Sequence, residues 1–142
     1  MDILVGLKNK DDKKAYELFR EMVVKNAESP LYYPLFDDFV RLINHNSSYV
    51  RTRGFCLACA LSRWDIENKI KTNWDKLKVM LHDEKPIAVR VCLGALHEVV
   101  LFKPEMTDLI KEELAKIDLS KYKDTMSPLI KKDLDALLKV MD

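Results

Sequence analysis

Two stretches of the chain follow one plan at an offset of 39 residues, and that repetition limits the fold more than any other feature. The offset lays Val40-Arg41-Leu42 on Val79-Met80-Leu81, Asn44 on Asp83, Val50-Arg51 on Val89-Arg90 and Leu57 on Leu96. Each copy reads as an apolar helix, a short polar turn, and a Val-Arg step that opens a second, more apolar helix. A unit of that kind cannot cover its own hydrophobic flank, so neighbouring units must stack to do so. A fainter match places Leu4, Leu7, Ala15 and Met22 on Phe39, Leu42, Val50 and Leu57 at an offset of 35. Met106 to Ile117 and Pro128 to Met141 share the pattern around a longer turn, as suits an end unit with a single neighbour.

Apolar residues recur at helical spacing nearly everywhere, and no stretch sustains an alternation of period two, which predicts an all-α chain. With 3 Gly and 5 Pro in 142 residues there are too few turn residues for a many-stranded sandwich or barrel. The expected architecture is one domain of about eight helices in four hairpins, with units near 1–27, 31–63, 65–103 and 104–142. Ile66, Ile70, Trp74, Leu77 and Leu81 fall on one stripe of a single predicted helix, opposite Lys69, Lys71, Lys76 and Lys78. The segments 50–61 and 87–102 are apolar on all sides, which predicts central helices packed by several neighbours. Asp12, Ser48 and Ser127 stand where helix caps are expected, and Pro34, Pro86, Pro104 and Pro128 where helices begin. Gly54 and Gly94 lie inside the two most apolar helices, where glycine costs about 1 kcal/mol relative to alanine, so close helix approach is expected at both.

The balance of 24 basic and 23 acidic residues hides a skew. Segment 41–78 carries eight cations (Arg41, Arg51, Arg53, Arg63, Lys69, Lys71, Lys76, Lys78) against Asp65, Glu67 and Asp75, while both ends are mildly acidic. No uncharged apolar run is long enough to span a membrane, and the first residues show no secretory core, so the expected setting is the cytoplasm. Cys56, Cys59 and Cys92 are odd in number and sit in apolar runs, which fits buried reduced thiols.

The residues LINHNSSYVR and MLHDEKPIAVR resemble HEAT repeats: an apolar first helix, Asn or Asp at the turn, and Val-Arg at the start of the second helix. More closely, the chain resembles short stand-alone bacterial HEAT-like proteins, some of which carry the label SufBD. The iron–sulfur scaffold proteins of that name are built on parallel β-helices, and since nothing here reads as β their function is not carried over. The resemblance implies a right-handed α-solenoid. It also implies a ladder in which Arg51 and Arg90 bond turn oxygens near Asn44 and Asp83, in their own unit or the next, because a buried charge needs such partners.

Catalytic signatures are missing where the spacing can be checked. Cys56 and Cys59 form C-x-x-C in mid-helix rather than at a helix N-terminus, where the dipole would activate a thiol. A cluster of these with Cys92 and His97 is conceivable across two helices, but structural zinc sites offer paired ligand motifs on turns, so no metal and no cofactor is expected. His45 and His82 fall in polar turns, where solvated surface is expected, and His97-Glu98 completes no H-E-x-x-H because Leu101 occupies the second position. Asn73-Trp74-Asp75 resembles the Trp-Asp-x-x-Asp pattern of helical-repeat alkylpurine DNA glycosylases, but Lys78 stands at the last carboxylate. A cation there cannot stabilise a cationic transition state.

The expected function is therefore a non-catalytic protein-binding module that uses the inner surface of a helical stack, with Arg53, Arg63, Trp64 and Lys71 as the contact residues. The alternative is nucleic-acid binding by the basic segment 41–78, with Arg53, Arg63, Lys69 and Lys71 on phosphates and Trp64 as a stacking face.

Overall fold

The computed structural model describes residues 2–142, which form nine α-helices and six short 3-10 turns, with no strand among the described residues. Two helices open the chain, α1 (Ile3–Leu7) and α2 (Asp12–Glu28). They are followed by α3 (Phe36–Arg41) and α4 (Ser48–Ala60), then by α5 (Lys69–Thr72), α6 (Trp74–Leu77) and α7 (Pro86–Phe102). The chain ends with α8 (Thr107–Leu114) and α9 (Ser127–Met141). No helix among the described residues is long and apolar enough to cross a membrane.

The long helices pack in chain order, α2 on α4, α4 on α7 and α7 on α9, while the short ones lie to one side of their successors. Two pairs of bonds fix the direction of α2 against α4. Near the start of α4, Arg53 donates to the Leu7 carbonyl at 2.9 Å and faces Asp12 at 3.6 Å, just before α2 and at its first residue. Past the end of α4, the Trp64 indole donates to the Asn26 carbonyl near the end of α2 at 2.8 Å, and the Asn26 amide donates to the Leu57 carbonyl. The two helices thus run the same way. A single core joins them, from Leu7 and Met22 through Phe39, Phe55 and Leu57 to Leu93, Ile130 and Leu137.

The repeat is visible in the second helices. Val50 and Val89 are both buried, as are Leu57 and Leu96, so the 39-residue offset lays like on like there. In the first helices the registers part: Val40 is buried while Val79 is 51% exposed, and exposed Arg41 corresponds to buried Met80. The cause lies in residues 68–73. Asn68 adopts the left-handed conformation at φ 57°, and the Asn73 side chain donates to the Lys69 carbonyl, so the expected continuous helix becomes two single turns and a 3-10 tail. Ile66 is consequently 91% exposed and off the stripe, whereas Ile70, Trp74, Leu77 and Leu81 remain in the core.

Caps sit one residue earlier than the sequence suggests. Asp11, not Asp12, accepts from the amides of Lys13 and Lys14, and Ser47 and Met126 occupy the cap positions assigned to Ser48 and Ser127. The two helical glycines differ completely. A Cβ on Gly54 would run into the Phe39 carbonyl oxygen and lie 2.7 Å from the Leu42 Cβ, so α4 meets the backbone of the preceding helical segment at that point. A Cβ on Gly94 would meet nothing within 4 Å, so the expected close approach is absent there.

Candidate docking groove

The feature that stands out is a shallow groove running along α4 between α2 and α7. Phe19, Arg20, Val23 and Val24 line it from α2, and Val91, Ala95 and Glu98 line it from α7. Cys56 and Ala60, one turn apart on α4, form the floor, and Gly94 leaves the α7 side low; the space is about 400 Å3. The walls are exposed and mostly apolar, with Val24 and Val91 open to solvent, so this is the face on which the central helices are not covered. The expectation that segment 87–102 is packed on every side is corrected here: Ile87, Val91, Gly94 and Leu101 are all exposed, because α2 and α7 splay around α4 instead of closing over it. The result is an apolar strip left open on an otherwise charged surface.

Its charged groups are few and unpaired. Arg20 packs its guanidinium 6.0 Å from the Tyr16 ring. Arg63, which does not line the groove, lies 4.5 Å above the Phe102 ring and 5.9 Å from Trp64. Neither arginine, nor Glu98, has an ion-pair partner among the described residues. Burial alone pushes the Cys56 thiol up to about 12, and burial also raises Cys59 and Cys92, so all three sulfurs stay protonated and poorly nucleophilic. No group of three or more metal-ligating side chains occurs among the described residues.

None of the contact residues singled out in the sequence lines the groove: Arg63 is exposed just after α4 and Lys71 is exposed on the short α5. Arg53 is corrected: it is only 5% exposed and is consumed by the Leu7 carbonyl and Asp12, so it offers nothing to a partner. Trp64 is half-buried with its indole N–H already donated. The basic segment is also less available than its composition suggests. Arg41 pairs with Asp38, Arg51 with Asp83, Arg53 with Asp12, Lys69 with Asp37, and Lys78 with Asp75 and Glu113, leaving Arg63, Lys71 and Lys76. Trp74 is buried, so no lesion base can reach it.

The arginines of the Val-Arg steps both pair with acids distant in sequence, only one of them the acid expected. Arg51 donates to both Asp83 oxygens at 3.0 and 3.1 Å and to the carbonyls of His45 and Asn46, while Asn44 takes no part. Arg90 reaches Asp133 on α9 instead of Asp83. His82 is not simply solvated: its Nε2 lies 2.6 Å from the buried Glu113 carboxylate, with Lys78 and Lys116 nearby.

A second polar cluster was not foreseen. Asp65, its side chain fully buried, accepts from the Tyr33 hydroxyl at 2.7 Å and from the amides of Lys69 and Ile70 at 2.7 and 3.0 Å. Lys103 Nζ lies 3.1 Å from the same carboxylate and donates to the Asp65 carbonyl. Burial by itself would raise the Asp65 carboxyl; the bonds from Tyr33, the two amides and Lys103 outweigh it and hold the group below the ordinary aspartate range. This clasp ties the end of α7 to the unit before it. The signal for it is an acid four residues ahead of Lys69, capping a helix too short to show as a period.

Comparison with protein-family models, curated proteins and solved structures gives no match.

Proposed function

We propose that the chain is a small right-handed HEAT-like α-solenoid that acts as a non-catalytic protein-binding module, with the groove along α4 as its docking surface. The solenoid reading is supported by the chain-order packing of α2, α4, α7 and α9 and by the common direction of α2 and α4. The docking reading is carried by one observation: Gly94 is exposed in the middle of a helix, with nothing for a Cβ to strike, at the low point of an apolar groove. Glycine there sacrifices about 1 kcal/mol of helix stability and gains no internal packing. What it preserves is room for an occupant. The non-catalytic part rests on the lining, in which the thiol is held protonated and the charged side chains are one arginine and one glutamate.

The test is affinity capture from native lysate, comparing wild type with Gly94→Phe in the groove and Arg41→Glu on an exposed site outside it. A protein retained by wild type and Arg41→Glu but lost by Gly94→Phe supports the reading. Captured proteins indifferent to Gly94→Phe, with the variant's thermal melt unchanged, remove it.

A further inference from the structure

Arg20 and Glu98 are the charged side chains that line the groove, one on each wall. Arg20 is exposed with only the Tyr16 ring against it, Glu98 is half-buried, and neither enters an ion pair among the described residues. An opposite charge brought against a half-buried carboxylate counts for most where the surrounding wall is apolar, because little water screens it.

Within one chain the two cannot meet. Arg51 near the start of α4 holds Asp83 just ahead of α7, and Lys103 just past the end of α7 holds Asp65 just past α4, so α7 runs the same way as α4 and α2. The Asn26 amide reaches the Leu57 carbonyl, and Leu57 corresponds to Leu96 in the repeat, which sets residue 26 of α2 level with residue 96 of α7. Arg20 lies six residues before that level and Glu98 two beyond it, about 12 Å apart along the helix axis. The width of α4 also separates them, two helix spacings or about 16–20 Å. The two charges sit at opposite corners of the groove.

Such a face is complementary to itself. A twofold axis lying in the face and bisecting the line from Arg20 to Glu98 carries each position onto the other, so a second copy turned about it sets an acid on Arg20 and a base on Glu98. One isologous contact closes two ion pairs, and the apolar strip of Val24, Val91 and Ala95 between them is covered by its own counterpart. Gly94, one turn before Glu98, keeps the wall low where the incoming guanidinium must reach. A phosphate backbone, or any partner surface of a single sign, leaves one of the two charges unpaired. Resting on the docking reading above, we propose that the occupant of the groove is a second copy of this chain, with Arg20 of each copy on Glu98 of the other.

Sedimentation equilibrium of the purified chain from about 10 μM to 1 mM is expected to show monomers in equilibrium with dimers. Arg20→Glu sets two carboxylates together at each contact and Glu98→Arg two cations, so each variant alone is expected to associate at least about tenfold more weakly. Mixed in equal amounts, the two variants are expected to recover the wild-type dimer, because every contact in the mixed pair joins opposite charges. That recovery also shows both variants to be folded. A wild-type chain that stays monomeric up to about 1 mM, a dimer that either reversal leaves unchanged, or a mixture no more associated than its components overturns the proposal. The docking reading is judged separately: a monomeric wild type whose captured lysate protein is still lost in Gly94→Phe keeps the groove as a docking surface and removes the second copy as its occupant.

Discussion

Gly54 and Gly94 lie 40 residues apart on neighbouring helices, one position out of the 39-residue register, and face opposite environments. At Gly54 the carbonyl of Phe39 stands where a side chain would start; at Gly94 the space is open. Elsewhere in the molecule the polar groups divide in the same sense. Asp65, closed in by Tyr33, two amides and Lys103, has no bonding capacity left over, whereas Arg20, Arg63 and Glu98 have no ion-pair partner among the described residues.

Breaking the closed side should have the largest effect. Asp65→Ala strands the buried Lys103 ammonium and is expected to cost about 3–5 kcal/mol in urea unfolding. The same carboxylate makes stability sensitive to acid. Its folded pKa is depressed, so its contribution is complete above the unfolded value near 3.9 and is lost as pH falls through the lower folded value. Urea midpoints taken from pH 5 down to about 2.5 should therefore fall more steeply for wild type than for Asp65→Asn. A parallel decline would mean that the clasp does not hold in solution.

Gly54→Ala comes next. The new methyl meets a carbonyl oxygen, which cannot rotate away, and a loss of about 1–3 kcal/mol is expected from chemical denaturation. Gly94→Ala is the counterpart of opposite sign: with open space around it and helix propensity in its favour, it should stabilise by about 1 kcal/mol. If the two substitutions shift stability in the same direction, the contrast between the faces is wrong. The smallest effect concerns the thiols. Cys56, Cys59 and Cys92 should react with a neutral disulfide reagent at pH 8 far more slowly in the native chain than in urea, since burial holds all three protonated.

How far the sequence leads depends on where an interaction is encoded. The helical class and the register of the second helices are written locally, because α4 buries nine of its residues and must repeat apolar side chains to do so. The pairing of Arg51 with Asp83 is among those the resemblance to HEAT repeats implies, although Asn44, named with it, takes no part. The first helix of the third unit was misjudged because two asparagines interrupt a pattern that remains periodic on either side of them. Arg53 looked like a surface cation, and only the carbonyl of Leu7, 46 residues away, explains its burial. The groove itself is illegible in one dimension. Its walls come from α2 and α7, whose apolar residues look like core in sequence and which flank α4 from positions far apart in the chain.

Photo-crosslinking tests the central claim most directly. A benzophenone side chain placed at Val91 in the groove, in cells making the chain at its natural level, should yield a discrete higher-mass adduct with another protein. The same group at Val79, equally exposed outside the groove, should yield none. Adducts of equal yield at both positions, or at Val79 alone, would contradict the assignment of α2, α4 and α7 as a docking face.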